Sequence, residues 1–370
     1  MLTAYNEQQI LFLPYQYTRE DLKKIRKEMQ FYCPQCQQHV QLKIGQYNIP
    51  HFAHPANNRC DQLFSEGESK LHLAGKKQLF EWLKQWEHFV TLEPYLSNLA
   101  QRPDILVTKG QQQIAIEFQC SAISHEKWSA RTAGYQQHHI QPLWLFQLPK
   151  SKHFLQGIHR ITIPPIWQKT MIPTKYGLSY IMLYDAVQAQ FIYVTNLLPV
   201  HGHTFIGKVQ ELPLQQQHFP FYEPRSITQA EFYQYWQLYK QYCSQFVYRR
   251  LAYSKAGVQD PFLRSCYELQ FSLTAMPDYI GIPLKDAEVM SMFSSEWQIF
   301  YHYFCHQLQV LPHELNDDNI QLFLTTYHME MTNQALNIIQ NYRAILEKEY
   351  LKRGNIPNFY QEVYNYLQLS

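Results

Sequence analysis

Two groups of residues have types and spacings that could do chemistry. Cys33-Pro34-Gln35-Cys36 is a C-x2-C knuckle, and His51-Phe52-Ala53-His54 follows it as a second close pair. Zinc takes four thiolate or imidazole ligands in a tetrahedron, and a two-residue spacer lets both members of a pair bend onto one ion. Cys33, Cys36, His51 and His54 are therefore expected to form a structural Zn2+ site, with His39 or Cys60 as substitutes for one histidine. The same residues also fit two unrelated pairs, with the histidines flanking a buried Phe52. Residues 1–62 are expected to be a small module lacking a core of its own, which a closed zinc site would hold together.

The second group lies in residues 102–120, RPDILVTKGQQQIAIEFQC. Pro103–Val107 and Ile114–Cys120 are β-rich, and Thr108-Lys109-Gly110 is a turn signal, so the stretch predicts an antiparallel hairpin. A turn centred between Gly110 and Gln111 sets Asp104 opposite Glu117, with Cβ atoms about 4.5–5.5 Å apart. The two-residue period puts Glu117 and Gln119 on one face, and Ile114, Ile116 and Phe118 on the other, toward a core. Directly opposed like charges destabilise a sheet. A divalent cation between them reverses the sign, because Mg2+ takes one or two carboxylates together with water and substrate phosphate oxygens. A strand-entry aspartate and a solvent-facing glutamate would leave the same short pattern.

The elements that must position these residues can be read around them. Upstream, Ser65-Glu66-Gly67-Glu68 opens a helix through Leu71, Leu79, Trp82, Leu83 and Trp86, with Glu68, His72 and Lys76 along one side. An acid in a first turn is also what the helix dipole favours. His72 could shuttle a proton, and it also reads as a surface or packed histidine. Downstream, Ser124 begins a polar helix carrying Arg131 and Tyr135, and Pro142–Phe146 is a short hydrophobic strand. Residues 63–160 thus form an α/β pattern, and 161–222 are β-rich runs punctuated by Pro and Gly.

From 223 to 370 the periodicity is helical. Phe232, Trp236, Tyr239, Cys243, Phe246 and Val247 form one stripe, and Trp297, Phe300, Tyr301, Phe304, Cys305 and Leu308 another. A third helix runs through Ala335, Ile339, Tyr342 and Leu346 to a stop signal at Lys352-Arg353-Gly354 and Pro357. Such stripes form cores, so the helical part carries no legible chemistry. The fold class expected is multidomain α/β plus α.

Composition sets limits on this reading. At 370 residues the chain exceeds one typical domain, and 46% hydrophobic residues argue for packed cores over disorder. A net charge of +2 with 17% charged residues excludes a basic coat, so nucleic-acid contact requires a local patch. The first twenty residues lack a secretory pattern, and no run approaches the roughly 18 apolar residues of a membrane span. Seven cysteines read as thiols and metal ligands, so a cytoplasmic location is expected.

Helix with an acid, strand with PD, strand with ExQ, helix, then strand resembles the restriction-endonuclease-like PD-(D/E)XK nuclease core. With CPQC, HFAH, GES-x2-H-x3-K, RPDI and IEFQ, residues 31–146 resemble the competence protein CoiA family of naturally transformable Gram-positive bacteria. The resemblance implies handling of incoming single-stranded DNA in transformation and recombination, alongside recombination or competence proteins. It implies catalytic roles for Glu68, Asp104, Glu117 and Gln119, with Asp104 and Glu117 holding Mg2+ or Mn2+. Lys76, Arg131 and Tyr135 would contact the DNA backbone. Gln119 stands where the family of folds carries a lysine, and a neutral amide brings no charge to the transition state. A metal-dependent deoxyribonuclease and a non-catalytic DNA-binding protein with a relic nuclease fold are both compatible with these residues.

Overall fold

The computed structural model describes residues 1–55, 68–87, 89–149, 154–351 and 358–368. The chain forms two compact units. One comprises Met1–His153, Met182–Tyr193 and Glu211–Tyr222, and the other Phe154–Ile181, Val194–Gln210 and Glu223–Ser370.

The first unit opens with β1 (Ala4–Asn6), β2 (Leu11–Phe12), α1 (Arg19–Glu28), β3 (Phe31–Tyr32), β4 (His39–Lys43) and β5 (His51–Ala53). The strands form an antiparallel sheet in the order β2-β1-β3-β4-β5. Strict alternation along β4 buries Val40 and Leu42, which pack with Phe12, Leu22, Phe31 and Phe52. The Phe31 ring lies 4.9 Å from both Phe12 and Phe52. This region therefore has a small aromatic core, contrary to the expectation from its length, because three phenylalanines converge from separate strands.

Next come α2 (Lys70–Leu83), β6 (Phe89–Leu92), β7 (Ile105–Lys109), β8 (Gln112–Gln119), α3 (His125–Gln137) and β9 (Ile140–Gln147). Ser69 caps α2 by accepting from the His72 amide, and Ser124 caps α3 by accepting from Lys127. The helix thus begins after Ser69, and the expected opening at Ser65–Gly67 lies outside the described residues. The hairpin has the expected register, with Ile105 opposite Ile116 and Lys109 opposite Gln112. Gly110, at φ +59°, makes the turn without the cost a side chain would meet there. β6 pairs antiparallel with β7. β8 runs parallel to β9, with α3 as the crossover that parallel strands require.

Both faces of β8 are covered, which the hairpin pattern alone did not reveal. A Cβ on Gly75 of α2 would sit 2.1 Å from the Phe118 ring, so α2 packs almost backbone-close on that face. Successive residues of a strand point oppositely. Glu117 therefore faces α3, where it meets Arg131 and Tyr135.

In the second unit, β10 (Gly157–Thr162) pairs antiparallel with a strand over Thr204–Pro213, Arg160 standing opposite Ile206. Helices follow: α4 (Pro165–Gln168), α5 (Gln229–Tyr253), α6 (Pro261–Glu268), α7 (Ser294–Leu308), α8 (Asp317–Thr326), α9 (Asn333–Leu351) and α10 (Phe359–Gln368). A capping box between Thr228 and Glu231 starts α5. The expected stripes supply the core: Phe232, Tyr239, Cys243 and Val247 from α5, Trp297, Phe300, Tyr301, Phe304 and Cys305 from α7, and Ala335, Ile339, Tyr342 and Leu346 from α9. Leu308 departs from its stripe and is exposed. The stop signal expected at 352–357 lies outside the described residues.

Candidate active site

The knuckle follows β3. Cys33, Cys36 and His54 bring their ligand atoms within 4.8 Å of one another, with Cys36 Sγ 3.2 Å from His54 Nε2. Two thiols and an imidazole converging in this way can hold a metal ion such as zinc. Burial pushes the Cys33 thiol up, partly offset by backbone amides of Cys36 and Gln35.

His51 is not part of this cluster. Its Nδ1 lies 2.9 Å from the Ile49 carbonyl oxygen. Side chains alternate along extended chain, so residues three apart face opposite ways, and only His54 turns to the thiols. His39 is exposed on β4 with its ring edge-on to Tyr32. Cys60 lies outside the described residues.

Beside the knuckle is a cavity of about 150 Å3 lined by Glu68, His72, Asp104, Glu117, Gln119 and Arg131, with Gln35 of the knuckle and Arg102 also on its wall. Three carboxylates line this cavity, and a fourth, Glu93, joins them through Lys76 in a charge-compensated cluster. Asp104, at the entry to β7, accepts from the Phe118 amide at 2.9 Å, and its Oδ2 is 3.1 Å from His72 Nε2. Lys76 Nζ lies 2.5 Å from Glu68 Oε1 and 3.4 Å from Asp104 Oδ1, and also pairs with Glu93. Burial works against the charge on Asp104, but His72 and Lys76 overcome it and hold the carboxyl well below the usual range.

Glu117 is held differently. Its Oε1 accepts from both Arg131 Nη2 and Tyr135 OH. Burial raises its pKa to about 7; Arg131 and Tyr135 oppose the rise, and the charge on Asp104 adds to it. Burial thus wins at Glu117, whereas at Asp104 the neighbouring positive charges win.

The sequence-predicted residues divide accordingly. Glu68, Asp104, Glu117, Gln119 and Arg131 share one cavity wall. Glu68 precedes the Ser69 cap rather than sitting in the first turn of α2. Gln119 turns its amide to Ser121, donating to the carbonyl oxygen at 2.9 Å and to Oγ at 3.0 Å. Lys76 and Tyr135 are both 0% exposed, so neither can lie along a DNA backbone as expected. Arg131, expected on DNA, is committed to Glu117 and the Arg102 carbonyl.

Glu93 and Arg102 escaped the sequence reading. Glu93 is buried in a left-handed conformation, its Oε2 accepting from the amides of Leu2 and Thr3 at 2.9 and 3.2 Å. No spacing rule reaches contacts across some ninety positions. Arg102 adjoins Pro103-Asp104, which was the one available signal.

These acids lie in an α/β fold with a helix on each face of a mixed sheet, in the company of a Cys/His module. Residues 68–223 match the nuclease-like domain of competence protein CoiA, and residues 14–62 match the N-terminal domain of the same protein. Competence protein CoiA of Bacillus subtilis (strain 168) is 30% identical over 190 residues, 51% of this chain and 50% of that protein. The chain belongs to the CoiA family. The match spans about half the length of that relative. No solved structure matches the chain. Among the described residues, no helix is long and apolar enough to cross a membrane.

Proposed function

We propose that this protein handles incoming single-stranded DNA during competence, through a nuclease-like site that takes Mg2+ or Mn2+ between Asp104 and Glu117. The carrying observation is that both acids line one cavity, and each keeps an oxygen outside strong hydrogen bonding. Among the described residues, Glu117 Oε1 takes both of its donors, and Asp104 Oδ1 has only the Lys76 ammonium at 3.4 Å. A site with two such oxygens fits a hard divalent ion, with Glu68 in reach of the same cavity. The bound ion would acidify a water and clamp a phosphate oxygen. Lys76 and His72 keep Asp104 ionised and fixed, while Arg131 and Tyr135 orient Glu117. The sheet order and flanking helices support a restriction-endonuclease-like core. Cys33, Cys36 and His54 would carry a structural Zn2+ that braces the loop bearing Gln35.

A non-catalytic reading, in which DNA is held and passed on but not cut, has its own observation. The Gln119 amide is spent on Ser121, so position 119 brings neither charge nor a free donor. DNA incubated with Mn2+ separates the two. Hydrolysis predicts cleavage that falls at least a hundredfold in Asp104→Ala and Glu117→Ala. Salt-sensitive binding with no cleavage above the double mutant selects the accessory role. Metal analysis of the purified protein is expected to give near one zinc per chain, lost in Cys33→Ser. A wild type without zinc removes the ion from the account.

A further inference from the structure

Three other cations stand at or near the cavity: Lys76 serves three carboxylates, Arg131 serves Glu117, and Lys127 lines the same wall from an exposed position on α3. Arg102 differs from all of them. Its side chain lines the cavity, and its Nη1 is shut off from solvent with no hydrogen-bond partner among the described residues. It also makes no ion pair there, although Glu93, Glu68 and Asp104 act through space to keep it charged against the effect of burial. An unsatisfied buried donor costs about 1–3 kcal/mol, and native structures seldom leave one without a reason.

The main chain ties this side chain to the acids. The Arg102 carbonyl accepts from Arg131 Nη2 at 3.0 Å, Pro103 fixes its own φ and restricts the backbone of Arg102 before it, and Asp104 follows. A guanidinium that lines the same cavity as Asp104 and Glu117, and whose Nη1 has no protein acceptor among the described residues, is complementary to an anionic oxygen.

We infer that Arg102 binds a phosphate oxygen of the ligand in this cavity, supplying the positive charge that Gln119 lacks. That the phosphate belongs to DNA rests on the function proposed above, whereas the anion site does not. A dication between Asp104 and Glu117 and an anion on Arg102 offset one another, so each strengthens the binding of the other.

The test uses the full chain with inorganic phosphate as probe, read by thermal shift and calorimetry. A short oligo-dT is then titrated in Ca2+ over a range of salt. Phosphate is expected to stabilise the wild type and to compete with the oligonucleotide. Arg102→Met should abolish the phosphate response, weaken oligonucleotide binding about tenfold and lower the salt slope by about one charge. Arg102→Lys should restore part of each, and Asp104→Ala should keep the phosphate response while losing any cleavage. If Arg102→Met does not fold, Arg102→Gln carries the same comparison. A variant that responds to phosphate as the wild type does, or a wild type with no response, overturns the inference. An Arg102-dependent phosphate response in a protein that binds no oligonucleotide upholds the anion site and sinks the DNA reading instead.

Discussion

Lys76 shows how far one residue's role can depend on its depth. A lysine on a polar helix face ordinarily reaches solvent, but here the ammonium is fully buried and answers Glu68, Glu93 and Asp104. Bringing these charges out of water is costly, and removing one partner leaves the others uncompensated. Lys76→Met should therefore destabilise the first unit by about 3–5 kcal/mol, as measured by urea unfolding. A loss below about 1 kcal/mol would mean that the acids take up protons readily and the cluster is soft. Glu68 and Glu93 are both held below the usual carboxylate range, burial being outweighed chiefly by the Lys76 charge, which argues against that outcome.

At the scale of elements, the contact between α2 and β8 places His72 and Lys76 beside the hairpin acids. Gly75 makes this close approach possible, and Phe118 beneath it is hemmed in by His72 and Tyr184, with ring centroids 5.9 and 5.6 Å away. Two effects compete in Gly75→Ala. Helix propensity favours alanine by about 1 kcal/mol, whereas overpacking costs about 1–3 kcal/mol or more. With a 2.1 Å approach to an aromatic ring that cannot swing aside, overpacking should win. The variant should unfold at lower urea, and DNA or metal binding should suffer with it as the helix shifts. A neutral or stabilised variant would show that α2 can slide on the sheet without cost.

At the scale of the whole molecule, the two units should answer different perturbations. Chelation of the metal proposed at Cys33, Cys36 and His54 would act on the first unit. Acid acts on the second through His302, which burial holds at a pKa of about 3. Tyr342 OH donates to the Tyr279 carbonyl, so His302 Nε2 must donate to Tyr342, and the imidazole is neutral. The unfolded histidine binds a proton below about pH 6.5 and the folded one does not. Stability is therefore full above that pH and falls as pH drops from about 6.5 toward 3, by about 2 kcal/mol at pH 5. Calorimetry should show the acid-sensitive transition flattened in His302→Gln and the chelator-sensitive transition unaffected. If His302→Gln keeps the same slope between pH 6.5 and 5, the sensitivity lies in other groups.

Local pattern alone determined several features. Period and turn chemistry fixed the β7–β8 register, because a two-residue alternation and a glycine turn leave little freedom between adjacent strands. The same periodicity marked the core stripes of α5, α7 and α9. Residue types also placed Glu68, Asp104 and Glu117 around one cavity through a recognisable motif.

The tertiary structure decided which charges face which. Helices on both faces of β8 took Glu117 out of solvent and gave it Arg131 and Tyr135, and α2 buried Lys76 among acids. It also turned His51 away from the thiols. Left between the knuckle and Asp104 is Arg102, a guanidinium in want of an anion. These outcomes rest on contacts between residues distant in sequence and on the depth at which each charge lies, and a linear spacing carries neither.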